Sequence, residues 1–192
     1  MEYVYSISES EIPVDKYLLG NKGTNLVVMT RLGLPVPPGF IVSIDAYRQY
    51  KITGIIPEDN IELAIARLEQ ETKQKLGESL QVSVRSSGPL SMPGMMDTLL
   101  NVKDINMIKA GVKQVFDSWN SLRAVEYRRV HRIAEDLGTA VVIQAMVFGN
   151  KDARSCTGGI FTRNPSTVEQ GLFGEYLAQA QGEDIVSGVK TP

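Results

Sequence analysis

The sequence predicts an α+β protein of two lobes, a larger one over residues 1–138 and a strand-rich one over 139–192. Three observations carry that reading. Residues 58–76 place Ile61, Ile65, Leu68 and Leu76 at mostly helical spacing with Glu and Lys between them, the pattern of an amphipathic helix packed on one side. Helical stretches of this kind alternate with short apolar runs such as "QVSVRS" up to Gly138. Beyond Gly138 the chain changes to short apolar segments punctuated by Gly and Asn, which read as strands joined by turns.

Each element follows from local chemistry. "GNKGTNLVVMTRLGLPVPPGF" reads as a turn, a helix from about Lys22 to Leu32 stopped by Gly33, and a Pro-rich entry into a strand over 40–43. Ser43 is placed to cap a short helix running to Tyr50. The 58–76 helix is followed by the strand "QVSVRS", a loop rich in Gly and Met, and the strand "DTLLNV". Two helical stretches, 105–119 and 121–136, are then separated by "WNS". "TAVVIQAMVFGN", "CTGGIFTRNP" and "GLFGEYLAQAQGEDIVSG" supply the short β segments of the second lobe.

Composition narrows the functional classes. No apolar run approaches the roughly 20 residues that span a bilayer, and "MEYVYSISESEIPVDK" at the start is acidic and polar, unlike a secretory or transit leader; a cytoplasmic protein is expected. A single cysteine, Cys156, excludes an internal disulfide framework, and a single histidine, His131, excludes a site of several His ligands. The two sit in different lobes, so a Cys–His nucleophile is not expected. A formal charge of −2 gives no general attraction to nucleic acid, and the basic run "YRRVHR" reads as a solvated helix face.

Three stretches can carry chemistry. In "LLGNKGTN" two glycines flank Lys22 at a helix start, where unpaired N–H groups and the helix dipole favour an anion; the same pattern also describes an ordinary helix start with an exposed Lys. Arg85 ends an apolar strand and is followed by Ser86, Ser87 and Gly88, a setting suited to bidentate phosphate recognition. Gly88 and Gly94 allow close approach of backbone to a ligand, Pro89 and Pro93 limit collapse, and Met92, Met95 and Met96 read either as adaptable cover over a closing site or as core filling. "VVIQAMVFG", with Gln144 inside an apolar run, fits either an adenine-lining strand or a buried core strand. Glu175, Glu183 and Asp184 fall near strand ends and read either as Mg²⁺ ligands or as solvated turn carboxylates.

Taken in order, "LLGNKGTNLVVMTRLGLPVPPGF", "SVRSSGPLSMPGMMDTLLN", "VFDSWNSLRAVEYRRV", "LGTAVVIQAMVFGN" and "GIFTRNPSTVEQGLFGEYLAQAQGEDIVSGVKTP" resemble the N-terminal nucleotide-binding domain of the pyruvate, phosphate dikinases. The match covers most of the chain, and "SMPGMMDT" is long and distinctive; the phosphoenolpyruvate synthases resemble the Met-rich loop less well. The resemblance implies an ATP-grasp-like fold that binds ATP with Mg²⁺. It implies a nucleotide-binding set of Lys22, Arg85, Ser86, Gly94, Met96, Thr98, Gln144, Met146, Val147 and Glu183. Lys22 and Arg85 would hold phosphates, the loop around Gly94 would cover them, and the strand from Gln144 to Val147 would meet adenine.

The departures shape the functional expectation. Asn21 stands where the family usually has a second Gly, and only residues 99–118 separate the Met-rich loop from the "SW" helix, where the family usually carries a long helical insertion. The resemblance also implies further strands bearing Mg²⁺ carboxylates, a domain with a phosphorylatable histidine and a pyruvate-binding barrel, none of which the sequence contains; His131 does not match the phosphohistidine motif. The expected function is therefore the ATP-binding portion of a phosphotransferase that, when complete, converts ATP, phosphate and pyruvate to AMP, diphosphate and phosphoenolpyruvate. The chain alone is expected to be inactive and to carry no catalytic residue, its partners being ATP and the remaining dikinase domains or a complementary chain, with no nucleic acid and no membrane. The rival reading is a non-catalytic nucleotide-binding or interaction module, or the first half of a split enzyme.

Overall fold

The computed structural model describes residues 2–186, and the chain divides into two units between Met146 and Val147. The first unit begins with β1 (Val4–Ser6), α1 (Lys16–Arg31), β2 (Gly39–Val42), α2 (Ile44–Thr53) and α3 (Glu58–Thr72). It continues with β3 (Val82–Ser87), β4 (Thr98–Val102), α4 (Ile105–Ser118), α5 (Leu122–His131) and β5 (Ala140–Ala145). The five strands pair antiparallel in the order β1-β2-β5-β3-β4.

The run "AVVIQA" forms the middle strand because it has apolar side chains for both faces of the sheet. Val141 and Ile143 pack into the larger core with Ile61 and Leu68 of α3 and Val112 and Phe116 of α4. Ala140 and Val142 point the other way, onto Leu19, Leu26 and Val27 of α1. Each branched side chain buried in this way contributes about 1.5–3 kcal/mol, so the central strand ties both helical layers to one sheet. The sequence boundary after residue 138 therefore falls short of the structural one: β5 belongs to the first unit because its hydrogen-bond partners are β2 and β3.

The helix ends follow their caps. Ser43 accepts from the N–H of Ala46 at 3.3 Å and Gly54 closes α2 at φ 70. The 58–76 helix ends at Thr72, where Lys73 turns left-handed at φ 55, and the 121–136 helix ends at His131 for the same reason, with Arg132 at φ 54. The basic run on α5 is solvated only in part. Arg128 is buried, its guanidinium 4.2 Å over the Trp119 ring and its Nη1 donating to the Trp119 carbonyl at 2.5 Å. The helical spacing of the cluster turned one cation inward, where the indole face and a helix-end carbonyl replace water.

The second unit is a hairpin of β6 (Cys156–Arg163) and β7 (Gln170–Ala178), followed by the short α6 (Gly182–Val186). "GED" opens a helical turn, not the β segment its setting suggested, because Asp184 accepts from the Gln181 N–H at 2.9 Å and caps it. Residues 187–192 of the "DIVSGVKTP" stretch lie outside the described residues.

One contact locks α1 to the sheet. Gly20 breaks α1 with φ 71 and ψ 168, and a Cβ built there would lie 1.7 Å from the Ser87 carbonyl oxygen. Gly94 has the same φ of 71 with nothing within 4 Å of its Cβ direction. Gly20→Ala is expected to lower stability by about 3 kcal/mol, from left-handed strain plus overlap, and Gly94→Ala by only about 1 kcal/mol. Urea denaturation of both variants reads the difference, and equal losses would contradict the close packing of Gly20 on Ser87.

Candidate functional site

The break at Gly20 sets where the next residues point. Asn21 N–H donates to the Gly88 carbonyl at 2.8 Å, and Gly23 N–H donates to the Ser87 hydroxyl at 3.0 Å. That hydroxyl in turn donates to the Leu19 carbonyl at 3.0 Å. Two of the amides expected to be open for an anion are thus engaged by the end of β3. Lys22 lies between them and donates from Nζ to the Ser86 carbonyl at 2.8 Å. Ser86 therefore enters the site through its main chain.

Arg85 stands on β3 opposite Thr98 of β4 and Val142 of β5. Alternation along β5 puts Gln144 on the same face as Val142, so the α1 side of the sheet is apolar under the helix and polar beside it. Arg85 Nη2 donates to Gln144 Oε1, and Gln144 Nε2 donates to the Pro37 carbonyl at 2.8 Å. Arg85 Nε is buried without a hydrogen-bond partner.

No carboxylate answers these two cations among the described residues. Burial first, and the Arg85 charge second, pull the Lys22 amine down to about 8. Burial also lowers the Arg85 guanidinium from its ordinary value, though an arginine stays protonated at any working pH. Two adjacent cations therefore share this face, one with an orphaned buried donor and neither meeting a carboxylate among the described residues.

The loop between β3 and β4 is held at one arm. Met92 is buried in the core and Met95 and Met96 pack against it, so these side chains fill the interior. Asp97 accepts from Gln114 Nε2 at 3.0 Å and from Arg123 Nη2, while Arg123 Nε donates to the Met95 carbonyl at 3.0 Å. The Asp97 N–H donates to the Ser118 hydroxyl at 3.1 Å. Leu90 and the open Gly94 form the unclamped part of the loop.

The family model "Pyruvate phosphate dikinase, AMP/ATP-binding domain" matches residues 53–192. The chain belongs to that family. It is similar over its whole length to pyruvate, phosphate dikinase of Clostridium symbiosum, 35% identical and covering 33% of that protein. Pyruvate, phosphate dikinase 1, chloroplastic, of Oryza sativa subsp. japonica is 33% identical over 92% of the chain and 29% of its own length. The pyruvate, phosphate dikinase of Rickettsia typhi is 32% identical over 92% of the chain and 31% of its own length. The chain thus spans about a third of these relatives, and it is the ATP-binding portion of a dikinase-like protein. The Clostridium alignment runs over 287 positions, 95 more than the chain's 192 residues, so that relative carries segments absent here.

Set against the dikinase-like expectation, the structure brings Lys22, Arg85, the Ser86 carbonyl, Thr98 and Gln144 to one face of the first unit. Met146, also in that unit, accepts from the Asn101 N–H through its sulfur at 3.0 Å. Val147 and Glu183 lie in the second unit, both exposed. Among the described residues no group of three or more carboxylate, imidazole or thiolate side chains converges. The Pro37 carbonyl escaped the sequence reading as a site component, and the Ser87 hydroxyl, read there as part of the setting around Arg85, instead clamps α1. The doubled Ser after Arg85 and the Pro-Pro-Gly before β2 were their only local signals.

Lys22 has a sign-definite pH effect. Its folded value near 8 lies below the unfolded 10.5, so between those limits the unfolded chain binds more protons and stability rises with pH. The stability of Lys22→Met relative to wild type is therefore expected to fall steadily from pH 8 to pH 10.5, whatever offset the lost Ser86 bond introduces. Urea denaturation across that range measures it, and a flat difference would contradict the depressed amine.

Proposed function

We propose that Lys22 and Arg85 bind phosphate oxygens of ATP, and that in the whole protein this chain presents the nucleotide for a dikinase-type transfer from ATP to an enzyme histidine and on to pyruvate. The observation that carries the proposal is the pair of uncompensated cations on the sheet face, with Arg85 Nε buried and unpartnered. A polyphosphate would bring counter-charge to both residues and acceptors to the Arg85 guanidinium, and an anion beside Lys22 would raise its amine back toward the ordinary value.

In this reading the chain's own residues bind and orient. Lys22 acts as a point charge fixed by the Ser86 carbonyl, Arg85 as a directional donor, and the segment from Leu90 to Gly94 as the adjustable cover. Thr98, paired with Arg85 across β3 and β4, borders the face. The relatives' names and the family description support dikinase chemistry. Mg²⁺ belongs to the proposal as the ordinary companion of a triphosphate, with no step assigned to it here. A cytoplasmic location is likewise proposed; among the described residues no helix is long and apolar enough to cross a membrane.

Calorimetric titration of the chain with ATP tests the reading. Arg85→Ala is expected to weaken binding roughly 10- to 150-fold, the equivalent of a charged hydrogen bond of about 1.5–3 kcal/mol, with the melting temperature retained. An unchanged affinity in a folded variant would overturn it, and no saturation of the wild type by ATP would favour a pure interaction module.

A further inference from the structure

We infer that Gln144 is a positioning residue whose neutrality matters: its amide holds Arg85 in place for a phosphate without cancelling the charge, and it does not read the adenine base. The inference rests on the phosphate-binding reading of Arg85. Gln144 is only 5% exposed, so both ends of its amide need partners inside the protein. The Pro37 carbonyl can only accept, which turns Nε2 toward it and leaves Oε1 for Arg85 Nη2. Each end of the amide is thereby engaged within the first unit, and a side chain so little exposed offers little of its remaining capacity to a base edge.

The choice of Gln over Glu follows from the same geometry. A carboxylate at this position would face the Pro37 carbonyl oxygen with no proton to donate and would form a closed ion pair with Arg85. That pair would remove the net positive charge for which an incoming anion is attracted, next to a Lys22 already held beside Arg85 with no counter-charge among the described residues. The amide fixes one nitrogen of the guanidinium and leaves the rest of the fork, including the buried and unpartnered Nε, in want of an acceptor. Gly39, across from Gln144 on β2, keeps the carbonyl of Pro37 within reach, because a side chain there would meet the Ile143 carbonyl oxygen at 2.4 Å.

The test compares ATP with inorganic tripolyphosphate, which has the phosphates and no base, by calorimetric titration of the full chain. Gln144→Glu is expected to weaken both ligands by the same factor, at least about tenfold. Gln144→Met, which removes the acceptor without adding charge, is expected to lose severalfold for both, and to lose nothing further on an Arg85→Ala background. Melting temperatures check that the variants are folded, and the Arg85→Ala coupling is a readout that general loosening of the sheet would not produce. A loss confined to ATP, with tripolyphosphate unmoved, would overturn the inference in favour of base reading. So would an unchanged Gln144→Glu alongside a weakened Arg85→Ala, which would leave the phosphate reading standing. If the wild type binds neither ligand, the inference falls with the reading on which it rests.

Discussion

Two like charges sit side by side because the backbone that carries them is clamped by bonds to which neither contributes. The Ser87 hydroxyl bridges the Leu19 carbonyl and the Gly23 N–H, and Gly20 lets the chain pass against the Ser87 carbonyl. Lys22 is thereby fixed on α1 while Arg85 is fixed on β3, a strand paired on both edges. Left free, two cations drift apart toward water, since desolvation and mutual repulsion both disfavour their approach. Here the fold holds them together, and burial first and the Arg85 charge second lower the Lys22 amine.

The arrangement differs from the surface ion pairs of this chain. Some cations do meet acids: Lys109 meets Glu58 and Glu62, Arg129 meets Glu126, and Lys75 meets Glu69. Such pairs contribute little in water. On the α1 side of the sheet, among the described residues, Arg85 meets a neutral amide and Lys22 a carbonyl.

The Met-rich loop combines anchoring with freedom. Its Met side chains contribute to the core, and Asp97 ties its far arm to α4 and α5 through Gln114, Ser118 and Arg123. Gly94 lies between these anchors with its left-handed backbone facing open space, in a turn closed by the Met95 N–H on the Met92 carbonyl at 3.2 Å.

Periodicity and capping were enough to place most elements of the first unit, though not β1. Ser43 and the Ile61, Ile65 and Leu68 stripe act locally, so neighbours along the chain carry their meaning. The same holds for Lys22 and Arg85 as candidates, since a cation at a helix start or strand end is visible in the residues around it. Strand partners were not legible: "AVVIQA" carries no mark of whether it pairs with segments before or after it, and the tertiary structure set it between β2 and β3. Nor could spacing show that Arg128 turns onto Trp119, or that Gln144 reaches both Arg85 and Pro37, a residue 107 positions away. The sequence by itself determined which residues could be helical, buried or charged, because those properties belong to single residues and their near neighbours. Only the folded chain decided which charge goes unanswered, because a counter-ion is present or absent in space, and the contacts that settle it join segments far apart along the chain.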